Sequence, residues 1–279
     1  MLIHAPAKLN LCLYLGAPRE DGLHELCSLF EPLALADLIE VTPAAQDEVI
    51  CPGVEGENLA ARALAGLRER DWEREPLRIE IEKRVPVAAG LGGGSGDAAA
   101  VLRLAAGEVA DLPQLAAELG ADVPSQLRPS LALVRGAGEC VSPLPEPAEH
   151  AVVLLPGGGG LSTAKVFAEA DRLGLGRSAE ELDELAVRLR EAAGAGALPL
   201  TYKELLVNDL EEAALSLRPD IGEALQALRI AGAPVAILSG SGPTAVGLFP
   251  DLAAAESAAE SLDTAEAIVC AAGRARLAP

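Results

Sequence analysis

Apolar and charged residues alternate from Leu77 through Val85: Leu77, Ile79, Ile81 and Val85 fall on one parity, and Arg78, Glu80, Glu82 and Arg84 on the other. This period of two predicts a half-buried strand. Met1–His4, Asn10–Leu15 and Ile39–Thr42 read as earlier strands, with a polar turn over 18–22. From Glu57 to Arg68 the period lengthens. Leu59, Ala63, Leu64 and Leu67 share one face of a core-packing helix that Asn58 would cap. A second helix is predicted to open on Asp97 and run through Ala98–Ala106, and a short third over Pro113–Leu119. Ser130–Arg135 and Glu139–Ser142 form a hairpin pattern turning through 136–138.

Proline and charge cluster over 143–149 and mark a boundary between two halves, 1–148 and 149–279. Beyond it, Ala151–Leu155 reads as a strand entering the glycine run 156–160, followed by a helix from near Ser162. Ser178-Ala-Glu-Glu181 and Thr201-Tyr-Lys-Glu204 have the spacing of capping boxes. A helix from Pro219 to Gly232 leads into strands Ala233–Leu238 and Thr244–Phe249, joined by 239–243. Helix Leu252–Leu262 and strand Ala265–Ala271 complete the pattern. The fold class is α+β.

The strand ending at Val85 runs straight into Pro86-Val-Ala-Ala-Gly-Leu-Gly-Gly-Gly-Ser-Gly96, just before a helix. Glycines let backbone approach an anion, and the N–H groups and dipole of the next helix hold it, so the loop predicts a cradle for ATP phosphates. No Gly-Lys-Ser/Thr follows, which excludes a Walker A loop. Gly94-Ser-Gly-Asp-Ala-Ala99 fits a loose dinucleotide fingerprint only by accident, because the opening strands do not form the required βαβ unit.

Half of the residues are apolar and the net charge is −20, so the chain reads as an acidic globular protein. That charge repels polyanions and argues against a nucleic-acid partner, but local cations still admit a small anionic substrate. Lysine is confined to Lys8, Lys83, Lys165 and Lys203, which singles out Lys8 in Ala5-Pro-Ala-Lys-Leu-Asn10. Cys12, Cys27, Cys51, Cys140 and Cys270 lack metal-ligand spacing and are expected to be small buried hydrophobes in a reducing compartment. No secretory or membrane-spanning pattern is present, so a cytoplasmic protein with no membrane partner is expected.

Taken singly, the candidate residues have plain alternatives. Lys8 also fits a snorkelling surface lysine, Asp122 a turn aspartate and His24 a surface turn histidine. The 239–244 loop suits an anion or a simple hairpin, and Asn208-Asp209 reads as a solvated helix face. A kinase, however, needs a carboxylate at the acceptor hydroxyl and a cation against the moving phosphoryl group, which Asp122 and Lys8 supply.

Three motifs in order, Pro-Ala-Lys-Leu-Asn at 6–10, the glycine loop at 86–96 and Leu-Ser-Gly-Ser-Gly-Pro-Thr at 238–244, resemble the GHMP superfamily of small-molecule kinases. The resemblance implies an N-terminal domain like ribosomal protein S5 domain 2 and a ferredoxin-like C-terminal domain, with the active site in the cleft between them. It implies Lys8 and Asp122 as the catalytic pair. It also implies Pro86, Val87, Ala88, Ala89, Gly90, Leu91, Gly92, Gly93, Gly94, Ser95 and Gly96 as the ATP loop, with Asn58 near the nucleotide. Asn10, His24, Thr163 and Phe167 match substrate-contacting positions.

Gly-Leu-His-Glu-Leu at 22–26, Glu-Asn-Leu at 57–59 and Gly-Ala-Asp-Val-Pro at 120–124 look most like the branch acting on 4-diphosphocytidyl-2-C-methyl-D-erythritol. ATP is then the phosphoryl donor, with magnesium carried on it rather than by acidic ligands of the chain. Other members act on homoserine, mevalonate or sugars, and a non-catalytic relative would have less reason to keep both Lys8 and Asp122. Two departures stand out. Leu23 replaces the tyrosine usual in that branch, and Ser95-Gly96-Asp97 replaces Ser-Ser-Asn, with Asp97 expected to point outward as a helix cap.

Overall fold

Two long antiparallel strands, β1 (Leu2–Pro18) and β2 (His24–Pro43), form the spine of the molecule. The computed structural model describes residues 1–273 except 55, 57 and 265. β1 continues through residues 5–9, where the sequence shows no alternation, because every residue from 5 to 16 is buried. A strand covered on both faces has no reason to alternate. Its pairing with β2 shifts between Pro6 and Lys8, again between Asn10 and Cys12, and once more before Pro18. Such irregularities re-aim side chains, and Lys8 and Asn10 lie between the first two.

The remaining elements of the first half are β3 (Glu48–Ile50), α1 (Leu59–Arg68), β4 (Leu77–Glu82), α2 (Gly93–Arg103), α3 (Leu112–Leu119), α4 (Val123–Gln126), β5 (Ala132–Gly136) and β6 (Cys140–Pro143). The second half holds β7 (His150–Leu155), α5 (Thr163–Leu173), α6 (Ala179–Ala193), a 3-10 segment (Pro199–Leu205), α7 (Glu211–Leu217), α8 (Asp220–Ile230), β8 (Val235–Leu238), β9 (Ala245–Phe249), α9 (Leu252–Ser261) and β10 (Ile268–Ala272). Among these, no helix is long and apolar enough to cross a membrane.

β4 and β5 pair with β2, and β8, β9 and β7 form an antiparallel run in the second half. β10 joins the two sets, pairing with β7 along its length and with β2 at Ala272. Helices α1–α3 pack over the first sheet around Ile39, Leu67, Ile79 and Ala99, while α5 and α7–α9 cover β7–β9. Between them, Leu9, Leu29, Leu33, Val152, Leu154, Leu189 and Tyr202 form one core drawn from both halves. A buried ion pair accompanies it: His150 Nε2 lies 3.1 Å from Glu31 Oε2, and both side chains are wholly inside. Burial alone would depress the imidazole pKa, but the Glu31 carboxylate outweighs it and the net shift is upward.

Several expectations are corrected. α2 opens at Gly93 with Gly92 as cap, so Asp97 is not an outward cap but a buried residue within the helix. A helix can start in glycine because the loop itself supplies the turn, with Gly92 in the left-handed region at φ +67°. Thr201 caps nothing: its hydroxyl donates to Leu198 O, and the segment is a kinked 3-10 stretch without the N-terminal geometry a capping box needs. Cys12 and Cys27 are buried, but Cys51 and Cys270 are only partly so, and Cys140 on the short edge strand β6 is exposed. The Ser178 capping box forms, and Asn58 Oδ1 accepts from Ala60 N at the start of α1. Glu57 and Ala265, expected to begin a helix and a strand, lie outside the described residues.

Gly96 shows how tightly α2 is set on β1. A Cβ there would sit 2.9 Å from Pro6 O, a backbone atom that cannot swing away. Gly96→Ala is expected to destabilise the fold by about 1–3 kcal/mol through overpacking. Urea denaturation would show this as a lowered midpoint with an unchanged slope; an unchanged midpoint would mean that α2 is free to shift.

Candidate functional site

Lys8 leaves β1 with its side chain almost fully buried, 7% exposed, yet its ammonium has several partners. Nζ donates to Asn10 Oδ1 at 2.6 Å, lies 3.2 Å from Asp122 Oδ2, and sits 4.6 Å from the centre of the Phe30 ring. Asn10 is itself held, with Nδ2 donating to Ser28 Oγ at 3.0 Å while Ser28 donates to Cys12 O. Asp122 immediately precedes α4 and is more open, its side chain 31% exposed. The pair therefore consists of a fixed cation and a carboxylate with room to meet a ligand.

The glycine loop closes over the Lys8 stem. Lys8 N donates to Leu91 O at 2.9 Å, and a Cβ on Gly92 would fall 2.7 Å from Lys8 Cγ. The loop's other side is braced by the β8–β9 turn: Ser239 Oγ donates to Gly90 O at 3.0 Å and Thr244 Oγ1 to Ala89 O at 2.6 Å. Gly90 lies so near that a Cβ would be 2.6 Å from Ser239 O. The 239–244 segment is thus both a hairpin turn and a wall of the site. Asn208 anchors it from behind, donating to Leu238 O at 2.8 Å and Gly240 O at 2.7 Å. This overturns the solvated-face reading of Asn208, which is buried because two otherwise unpaired carbonyls need its amide. Asp209 is likewise engaged, by Arg177 and by the amide of Leu15.

Two clefts meet along this loop. The larger, about 720 Å³, is lined by Lys8, Asn10, His24, Asp122, Thr163 and Phe167. The smaller, about 300 Å³, runs along Pro86–Ser95 and is flanked by Asn58, Lys83 and Asp97. Gly90, Gly92 and Ser95 line both. Gly96 lines neither, because it is packed against β1. The amides that open α2 have no partner within the helix, and Gly93, Gly94 and Ser95 line the smaller cleft.

Model sequences of the GHMP kinases N terminal domain and the GHMP kinases C terminal domain match residues 58–128 and 182–268. A relative from Kineococcus radiotolerans, named 4-diphosphocytidyl-2-C-methyl-D-erythritol kinase, is 40% identical over 93% of this chain and 84% of its own. One of the same name from Thermobifida fusca is 39% identical over 95% of this chain and 90% of its own. The chain is a GHMP kinase. Its fold superposes with a TM-score of 0.82 on a crystal structure of 4-(cytidine 5'-diphospho)-2C-methyl-D-erythritol kinase, 37% identical, covering 98% of this chain and all of that one. A homoserine kinase from Cytophaga hutchinsonii, 18% identical, shares the fold with a TM-score of 0.68 over 98% of this chain and 94% of its own.

In this kinase α5 carries part of the large cleft. Thr163, Phe167 and Asp171 stand four residues apart and so share one helix face. Thr163 Oγ1 bonds Ser241 Oγ at 2.9 Å, and the Phe167 and His24 rings lie 5.0 Å apart at 47°. Leu23, by contrast, is half exposed at the rim. Asp171 went unrecognised in the sequence, although its spacing from Phe167 is a usable signal.

Also missed was the group beneath the phosphate loop. Lys83 Nζ pairs with Asp37 and, at 2.8 Å, with Asp97 Oδ2, while Asp37 Oδ1 accepts from the amides of Arg84 and Val85. Asp97 points inward because this ammonium attracts it. Burial pushes its carboxyl up to about 7, against the opposing pull of Lys83. The folded protein therefore holds that proton more tightly than the unfolded chain. The stability this proton contributes is present below pH 3.8 and is lost as pH rises through about 7. Asp97→Asn is expected to flatten stability against pH in that window. Denaturation titrations of parent and variant with parallel pH dependence would refute this assignment.

Proposed function

We propose that the kinase transfers the γ-phosphoryl group of ATP to the 2-hydroxyl of 4-diphosphocytidyl-2-C-methyl-D-erythritol, in the non-mevalonate route to isoprenoid precursors. The Lys8–Asp122 pair, 3.2 Å apart in the larger cleft with the Lys8 stem against Gly92, which lines both clefts, carries this reading. ATP lies along the smaller cleft, its base toward Asn58 and its phosphates on the amides that open α2. The acceptor occupies the larger cleft, its hydroxyl at Asp122 and its base end toward His24 and Phe167. The names and 37–41% identities of the relatives favour this alcohol over homoserine or mevalonate.

The acceptor oxygen forms a bond to the γ-phosphorus as the bond from phosphorus to the β,γ-bridging oxygen breaks, and ADP leaves with that electron pair. The hydroxyl proton passes to Asp122. A loose transition state asks little of a base, so Asp122 also serves by orienting the oxygen. Lys8 balances the charge that gathers between carboxylate and phosphoryl oxygens, and Asn10 holds its ammonium in place. Among the described residues no cluster of three or more acidic, histidine or cysteine side chains forms a metal cage. The Ser95 hydroxyl, which lines both clefts, suits magnesium, which keeps most of its waters and needs only one or two protein oxygens beside the phosphates. Bound with ATP, magnesium neutralises phosphate charge.

Asp122→Asn is expected to lower kcat about 10²–10⁴-fold with ATP binding retained. Mass spectrometry of the phosphorylated product tests the reaction. A folded, ATP-binding parent that leaves this alcohol unmodified would overturn the proposal. Leu23→Tyr adds an aromatic face at the cleft rim, and stacking worth about 0.5–1.5 kcal/mol predicts a KM for the alcohol lowered about 2–12-fold with kcat unchanged. An unaltered KM would place the base away from residue 23.

A further inference from the structure

We infer that Asp171, through its hydrogen bond to His24, makes the acceptor cleft selective for a cytosine base over a uracil. The inference rests on the proposed reading that the cytidylyl end of the substrate lies in the large cleft. His24 opens β2 and Asp171 ends the face of α5 that carries Thr163 and Phe167. His24 Nε2 lies 2.8 Å from Asp171 Oδ1, and both residues line the cleft.

An ionised carboxylate only accepts hydrogen bonds, so the hydrogen in this contact belongs to Nε2. In the neutral ring Nδ1 is then left as a lone-pair acceptor. Among the described residues Nδ1 has no hydrogen-bond partner in the protein. Phe167, 5.0 Å away and tilted, fixes the ring from a second side. Cytosine presents an exocyclic amino donor where uracil presents a carbonyl acceptor. A histidine locked as an acceptor matches the amino group and meets the carbonyl lone pair to lone pair. Asp171 is thus a positioning residue: it sets the tautomer that His24 presents to the base. Its own side chain is about half exposed, so its loss leaves the fold largely intact.

Replacing the carboxylate with an amide removes the constraint, because an amide can donate to Nε2 as well as accept from it. Parent, Asp171→Asn and Asp171→Glu would be compared for KM and kcat with the cytidylyl substrate and with its uridylyl analogue. Nitrogen-15 NMR of ring-labelled histidine would report the tautomer of His24. The expected result is a proton on Nε2 in the parent. In Asp171→Asn, loss of about one hydrogen bond raises the cytidylyl KM about fivefold to tenfold, with kcat little changed and the preference over the uridylyl analogue reduced. Asp171→Glu, which keeps an acceptor-only group, retains the preference. A proton on Nδ1 in the parent, or equal losses on both substrates in Asp171→Asn, would overturn the inference while leaving the reaction standing. A parent inactive on both substrates would refute the reaction itself, and the base selectivity with it.

Discussion

The site depends on two glycine segments, the loop before α2 and the turn between β8 and β9, packing against β1 and against each other more closely than most side chains would permit. Gly92 lies against the lysine stem, Gly90 against the 239–244 turn, and Gly240 within reach of Asn10. At Gly92 a Cβ would displace the lysine stem and at Gly90 the facing wall, while at Gly240 it would crowd Asn10 at 3.2 Å. The glycines therefore serve packing as well as backbone freedom. They let β1, the loop before α2 and the turn between β8 and β9 share one small volume, and Asn208, Ser239 and Thr244 fasten the arrangement by bonding carbonyls that would otherwise be buried unpaired. Since two of those stretches come from one half of the chain and one from the other, the site exists only when the halves are packed. The shared core and the insertion of β10 between β2 and β7 meet that requirement.

The electrostatics follow a similar economy. In a chain of net charge −20, lysines near the glycine loop are few, and Lys8 and Lys83 are each placed with a counter-charge. Lys8 faces the cleft with a half-open carboxylate, so its field reaches a ligand. Lys83, at the flank of the smaller cleft, sits between Asp37 and Asp97, so its charge is balanced by two carboxylates at the base of the loop. Two lysines that look equivalent in the sequence thus differ in how many carboxylates surround each, one for Lys8 and two for Lys83. His24 extends the pattern: its ring is held at 2.8 Å by Asp171, an acidic neighbour on another element.

The fold class and the chemistry were legible in the sequence because they rest on local signals. Period-two alternation set β4, a 3.6-residue stripe set α1, and a glycine run between strand and helix marked an anion site. Lys8, Asp122, His24 and Phe167 were found through motifs, and the structure brings them to one cleft. Less legible were elements whose pattern is erased by burial on both sides. β1 read as two short strands because its middle touches protein on every face, and Asn208 read as solvated because a polar residue among leucines looks the same whether it meets water or buried carbonyls.

What the sequence determined alone was the fold class, the strongly periodic elements such as β4 and α1, and the glycine positions, since these follow from periodicity and from backbone freedom. What only the tertiary structure decided was which charges meet: Asp97 turns inward to Lys83 rather than outward as a cap, Asp171 finds His24 across 147 positions of chain, and the loops of both halves close on Lys8. Pairings between distant segments depend on how whole sheets and helices pack, and no local pattern carries that information.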